Sequence, residues 1–355
     1  MKIIFLFSGI MLWVTLGFSQ NKTAADDLVM EGIELHDNGD YKGAIAKYDK
    51  ALAIDKDNLF ALTEKAYSLL SLGKNKESIE NCEKAIKLYP DDEDLNVVYV
   101  TYGNAMDGLK NTEKAIEIYN QGLSKFPDFY QLYFNKGVSQ SSLKLYDEAL
   151  HSFEKAVICN PNHASSHNAI GRLKNYDGKR IPAMLAFCRF LAIEPQSTRA
   201  EENLAALDVI MNGNVEKTGK QSVTINISAG ILGDTLANGD PSENSFSMVD
   251  MMLSMSAALD FDKKYKNETE VEKFIRKFDT FCSTLKEGEE KNYGFYWDYY
   301  VPYFTAMQEK GFIEAYSYIA FASTGESDVT KWLKSHTKEM EAFYAWSTEF
   351  KWKTE

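Results

Sequence analysis

The chain has 355 residues, enough for two domains, and carries a net charge of -13. That balance argues against nucleic acid as a partner, since phosphate binding needs clustered Lys and Arg, and acidic residues spread along the helices read as a solvated surface. Its four cysteines, Cys82, Cys159, Cys188 and Cys282, are not spaced as a disulfide framework and read as buried free thiols; whether Cys159 and Cys188 pair is left open.

Met1-Lys2, an apolar run from Ile3 to Phe18, and small residues at Gly17 and Ser19 describe a secretory leader cleaved after Ser19. The run is short for a membrane span and has no basic flank on its far side. The expectation is residues 1–19 as signal peptide, no integral span after its removal, and a periplasmic or secreted product.

From Ala25 the chain repeats itself. The stretch Tyr130 to His163 sets the pattern: moving 34 residues forward takes Gly137, Ala149, Phe153 and Pro161 to Gly171, Ala183, Phe187 and Pro195, and moving 34 back reaches Gly103, Ala115, Tyr119 and Pro127. A fixed period of this length means stacked supersecondary units. Tyr133, Gly137 and Gln140 share one helical face, with Leu143 closing that helix. Lys144 to Asp147 reads as the turn. A second helix carries Ala149, Phe153, Ala156 and Val157 on one side until Asn160-Pro161-Asn162 stops it. Gly137 and Ala149 are small where helices approach closely, and Phe153 is expected to fill the space between one hairpin and the next.

This skeleton resembles the tetratricopeptide repeat, W-x2-L-G-x2-Y, then A-x3-F, then P. Five copies fit. Ala25 to Asn58 has Gly32, Leu35, Ala44, Tyr48 and Ala51, with Lys56 in place of proline; Leu59 to Asp92 has Ala66, Leu69, Ser78, Cys82, Ala85 and Pro90. The third follows three extra residues, so that Pro90 and Pro127 are 37 apart, and offers Tyr99, Gly103, Ala115, Tyr119 and Gly122. The fourth is the reference stretch, and the fifth, Ala164 to Ser197, has Ile170, Gly171, Ala183, Phe187 and Pro195. The resemblance implies an all-α, right-handed solenoid of about five hairpins over 25–213, with first helices lining a concave side that binds a peptide or protein.

Thr198 to Met211, with a stripe of Ala200, Leu204, Leu207 and Ile210, reads as a capping helix over the last apolar face. Residues 214–244 read as linker, with a short strand at Val223, Ile225 and Ile227 and a Gly-rich loop from Gly233 to Asn244. Residues 245–355 read as a separate helical domain outside the repeat: helices at Ser245–Phe261, Glu268–Lys286, Tyr293–Lys310, Phe312–Ala322 and Val329 to about Trp352.

No G-x-S-x-G, H-E-x-x-H or phosphate-loop motif is present, and no catalytic residue, cofactor or metal is assigned. Cys159, His163 and His167 are spaced by four, but Pro161 interrupts any common helix. Asp240, Ser242 and Asn244 alternate as in a calcium loop whose sixth-place glycine and closing glutamate are missing. Tyr296, Tyr299, Tyr300 and Tyr303 share a face, as core or as a sugar or peptide pocket. Met248, Met251, Met252 and Met255 read as a core ridge.

The leading expectation is an exported adaptor without enzymatic activity; the runner-up is an enzyme or ligand-binding protein with its site in the aromatic-rich second domain and the repeats as targeting arm. Rotation by about 100° per residue takes the groove face to Gln131, Phe134, Val138 and Ser141. The matching residues are Val29, Ile33 and His36; Phe60, Tyr67 and Leu70; Val97, Val100, Asn104 and Asp107; and Asn168, Arg172 and Tyr176. Of these, Phe60, Tyr67, Leu70, Val100, Asn104, Phe134, Val138, Asn168 and Arg172 are the expected partner contacts. Arrays that clamp a carboxyl terminus place several Lys, Arg and Asn here; this set has no lysine, so an apolar or aromatic segment, or the protein's own second domain, is the expected occupant.

Overall fold

The computed structural model describes residues 8–219, 222–226 and 243–353, with side chains from Thr23 onward. Residues 1–7 of the expected leader, Ile227, and residues 233–242 of the expected loop, Asp240 and Ser242 among them, lie outside these residues.

The repeat region folds as helical hairpins. Helices α1 (Ser8–Asp37) and α2 (Tyr41–Ile54) form the first, followed by α3 (Leu59–Ser71) with α4 (Asn75–Leu88), and α5 (Leu95–Gly108) with α6 (Thr112–Lys125). Helices α7 (Tyr130–Ser142) and α8 (Tyr146–Cys159) are the fourth, and α9 (Ala164–Tyr176) and α10 (Arg180–Ile193) the fifth. Every first helix ends the same way. One residue turns left-handed, at Gly39, Gly73, Lys110, Lys144 and Gly178, with φ between 62° and 81°. The next N–H then reaches back to the carbonyl five residues earlier, as from Leu145 to Gln140 at 3.0 Å. This closure satisfies carbonyls that the helix end would otherwise leave open. The turn therefore ends at Leu145, and Tyr146, expected within it, begins α8.

The glycines explain the hairpin. A Cβ on Gly137 would stand 2.7 Å from the Phe153 ring; Gly32 meets Tyr48, Gly103 meets Tyr119 and Gly171 meets Phe187 in the same way. The aromatic ring of each second helix thus lies on the glycine of its own first helix, where it was expected to fill the gap to the next hairpin. The second repeat has Ala66 where the others have glycine, and Cys82 where they have a ring, so a larger first residue faces a smaller second one.

Contacts divide the chain into two compact units, the first running to Ala156 and the second from Val157. The second unit therefore holds the fifth hairpin, the cap helix α11 (Thr198–Asn212) and every later element. Strands β1 (Val215–Lys217) and β2 (Val223–Ile225) pair antiparallel, Glu216 opposite Thr224; β2 falls where the short strand was expected, and its partner β1 lies in the stretch read as linker. Helices α12 (Ser247–Ala258) and α13 (Glu270–Gly288) come next, α13 opening with a capping box between Thr269 and Glu272. A π-helical turn at Tyr296–Tyr300 leads into α14 (Val301–Glu309): the Val301 N–H bonds to the Tyr296 carbonyl just before Pro302, which has no N–H to give. Then come α15 (Ile313–Ala320), α16 (Ser327–Ser335) and α17 (Thr337–Glu349). The single helix expected from Val329 to Trp352 is broken at His336. There the Ser335 hydroxyl bonds to the Lys331 and Trp332 carbonyls, and the His336 ring stacks on Trp332 at 4.2 Å.

In the second unit α10 is buried on every side, from Ile181 to Ala192. Tyr316 donates to the Cys188 carbonyl at 2.9 Å, and Tyr299 to the Val157 carbonyl at 2.7 Å. Arg189, 1% exposed, donates to Tyr303 and Ser347, both at 2.9 Å, and to Asn162 Oδ1 at 2.6 Å. Its guanidinium lies 4.7 Å from the Tyr303 ring and 4.9 Å from that of Trp352. Hydroxyls, an amide and ring faces thus receive this buried charge.

Candidate functional site

In the first unit, α1 packs on α3, α3 on α5 and α5 on α7, in addition to each helix's hairpin partner. The first helices are therefore the inner row. Along that row Phe60, Tyr67, Val97 and Val138 are 50%, 49%, 40% and 47% exposed. Large apolar side chains left in water along one helical face are the mark of a contact surface. Tyr67 is held in place: its ring stacks on His36 at 4.7 Å, and His36 Nδ1 bonds to Ser68 Oγ at 2.6 Å. Leu70 and Val100 are half-buried against the core of the second and third hairpins. Phe134 is half-buried, its ring 5.7 Å from Phe153. Asn104 accepts a hydrogen bond from Tyr119 at 2.7 Å, which leaves its amide N–H groups for a partner. Val29 is 1% exposed and belongs to the core, a correction to its expected place on the groove: it packs with Ala25, Ala44 and Tyr48. Asn168 and Arg172, half-buried and exposed respectively, belong to the second unit.

At the start of the inner row lies a socket of about 460 Å³, lined by Val29, Met30, Leu59, Phe60 and Tyr89 and ringed by Asp26, Asp55 and Asp92. Glu64, on the inner row of α3, has its pKa raised by burial and then by the charge of Asp37.

The second unit distributes its polar groups differently. Tyr296, Tyr299, Tyr300 and Tyr303 are at most 3% exposed and form core, with no open face for a sugar or peptide. The His167 Nε2–H donates to the Pro161 carbonyl at 3.0 Å, so its Nδ1 is the acceptor for the Tyr300 hydroxyl at 2.8 Å. Burial and the nearby charge of Arg189 push its pKa down to about 3, a neutral structural histidine. Among the described residues no group of His, Cys, Asp and Glu could hold a metal ion, and all four cysteines are free thiols. Met248 and Met255, expected in the core, are each 49% exposed, because α12 turns Val249 and Leu253 inward instead.

A cleft of about 360 Å³ opens between α11, α13 and the turn at Ala322–Thr324. Its floor is Leu204, Met211, Phe274 and Phe321, and Glu201, Asp208, Glu270 and Glu326 line it as well. The Lys277 ammonium there is already bound by Asp260 and Asn212, both at 2.9 Å. Sequence reasoning missed this cleft, since its residues recur at no shared spacing.

Stacked helical hairpins with an open inner row define an α-solenoid. Residues 33–139 match the family model of the Psidin N-terminal TPR repeats region, and residues 130–163 match that of the tetratricopeptide repeat. The human protein O-mannosyl-transferase TMTC1 is 26% identical over 188 residues, 50% of this chain and 20% of that protein. Mouse tetratricopeptide repeat protein 12 is 33% identical over 102 residues, 29% of this chain and 14% of that protein. Among solved structures, a thermophilic TPR protein of Thermus thermophilus aligns with a TM-score of 0.44 and 18% identity, covering 53% of this chain and 99% of that one. The chain spans a fifth or less of the length of both curated relatives. Residues 33–163 are a tetratricopeptide-repeat array. Such arrays are in general protein-interaction adaptors, and no helix among the described residues is long and apolar enough to cross a membrane.

Proposed function

We propose that this protein is an exported adaptor whose inner row of first helices, α1 to α7, binds a peptide or protein segment rich in apolar side chains. The observation that carries the reading is the exposure of Phe60, Tyr67, Val97 and Val138 on one face of the first helices of consecutive hairpins, Phe60 matching Val97 and Tyr67 matching Val138 in register. Burying such a side chain against a partner contributes roughly 1.5–3 kcal/mol, so two of them account for a large part of a micromolar complex. Replacing Phe60 and Tyr67 together by serine is expected to leave the melting temperature near wild type and to abolish partner capture from the native extract. Unchanged capture, partner by partner in mass spectrometry, would remove the groove as the working surface. Export rests on Lys2, the Ile3–Phe18 run and Ser19; amino-terminal sequencing of the native protein should begin at Gln20, and a retained Met1 would contradict it.

The cleft between α11 and α13 favours a second reading, a small-ligand site in the second unit. Leu204→Trp would fill it, and a ligand that still bound with equal affinity would place that site elsewhere.

A further inference from the structure

The inner row of the first unit has a charge pattern as well as an apolar one. Its positions repeat from hairpin to hairpin, and Asp37, Glu64 and Asp107 occupy them on α1, α3 and α5. Asp37 and Glu64 lie close enough for the charge of one to act on the other. The Asp107 carboxylate accepts hydrogen bonds from Ser139 across to α7 and from Tyr119 at 3.5 Å. None of the three forms an ion pair among the described residues. The lysines that do form ion pairs in this unit, Lys47, Lys65, Lys74, Lys84, Lys114 and Lys125, meet acids elsewhere, at Glu31, Asp49, Glu77, Asp57, Glu117 and Asp91. The inner positions themselves carry no Lys or Arg: the row reads Asp26, Met30, Ile33, His36 and Asp37 on α1, continues through Phe60, Glu64 and Tyr67 on α3 and Val97, Val100, Asn104 and Asp107 on α5, and ends in Asn135, Val138 and Ser141 on α7. The socket at the start of the row adds Asp55 and Asp92 around Met30 and Phe60.

Glu64 and Asp107 are half-buried and Asp37 is exposed; a half-buried carboxylate without a cation is held at a cost that an incoming cation removes. Acids without an ion-pair partner beside exposed apolar side chains therefore select the sign of the occupant. We infer that this groove recognises a cationic polypeptide segment, with Lys or Arg side chains interspersed among aliphatic or aromatic ones. The inference rests on the groove reading above and narrows it. Lys and Arg ends reach Glu64, Asp37 and Asp107, while apolar side chains cover Phe60, Tyr67 and Val138. The same acids repel an acidic segment, so specificity comes from repulsion as well as attraction.

The test uses the full mature chain and a random-sequence peptide array as probe, at low and at high salt. Three proteins are compared: wild type, the isosteric charge variant Asp37→Asn/Glu64→Gln/Asp107→Asn, and the apolar variant Phe60→Ser/Tyr67→Ser. All are checked by thermal melting, and Glu64→Gln alone replaces the triple variant if that fails to fold. Peptides retained by wild type should be enriched in Lys and Arg around apolar residues. The charge variant should bind them about tenfold more weakly, with a flatter salt dependence, and the apolar variant should lose them. If wild-type binders show no excess of Lys and Arg, or the charge variant binds equally while the apolar variant does not, the charge inference is overturned and the groove reading stands. If the apolar variant retains the same peptides as wild type, the groove reading falls and this inference with it.

Discussion

Helices α8 and α10 occupy the same place in successive repeats and turn the same face outward, yet that face meets opposite surroundings. In α8 it carries Asp147, Glu148, His151 and Lys155, all exposed. Thirty-four residues on, it carries Ile181, Pro182, Leu185 and Arg189, all buried. The skeleton positions are alike in both: Ala149 and Phe153 against Ala183 and Phe187. Skeleton residues therefore decide that a hairpin forms, while the opposite face decides whether it meets solvent or protein. The fifth hairpin is built like the others and used as core. Arg189, which stands where α8 has a solvated lysine, is turned from a surface charge into the centre of a hydrogen-bonding and ring-stacking cluster.

The contrast between the helices is most exposed to test at Leu185, which is 0% exposed to solvent. Leu185→Asp should cost about 4 kcal/mol or more, since an unpaired carboxylate would enter an apolar interior. His151→Asp, at the same register of α8, should stay within about 0.5 kcal/mol. Equal costs in urea unfolding would mean that the two faces are not different.

Acid should widen the difference between the units. The folded pKa of His167 lies at about 3, below the unfolded value near 6.5. The unfolded chain therefore binds the proton first. The stability this group contributes is whole above about pH 6.5 and is lost as pH falls toward 3, with a loss of about 2 kcal/mol by pH 5. His163, also lowered by burial, acts in the same direction. Amide exchange should show unit two opening before unit one between pH 7 and 5, and His167→Asn should flatten that dependence. An unaltered pH profile in the variant would assign the acid sensitivity to other groups.

The smallest effect concerns what the two units share. Gly137→Ala should cost about 1 kcal/mol, because its methyl group meets the Phe153 ring. In a Phe153→Cys background the same change should gain about 1 kcal/mol from helix propensity, as the Ala66 and Cys82 pair of the second repeat implies. A double-mutant cycle with no coupling would separate the glycine from the ring.

The repeat region was legible because its signals are local and recur: glycine, small residue, ring and proline return at a fixed spacing. The inner row followed from that register, as exposed Phe60, Tyr67 and Val138 show, although Val29 is core. The charges of the row were hidden because they do not recur from repeat to repeat: the positions that match Glu64 are Met30, Thr101 and Asn135. The fate of α10 was written in Ile181, Pro182 and Leu185, but only as a departure from polar residues at the same register, and the skeleton residues give no sign of it. Beyond Asn212 nothing repeats. The aromatic cluster could be named, but its burial depends on partners scattered along the chain: Tyr299 on Val157, Tyr303 on Arg189 and Ser347, Trp297 on Ser245. The break at His336 and the π-helical turn at Tyr296–Tyr300 come from side chains competing with the backbone and from Pro302, neither of which interrupts an apolar stripe.

One repeat skeleton with an open outer face in α8 and a buried one in α10 can be probed at both faces by cysteine labelling. His151→Cys and Leu185→Cys are each treated, in the native protein, with a maleimide reagent, and modification at each position is followed by peptide mass. Residue 151 should be modified rapidly, and residue 185 not at all until denaturant is added. Equal rates at the two positions in the folded protein would mean that α8 and α10 present the same surroundings, and the distinction between them would fall.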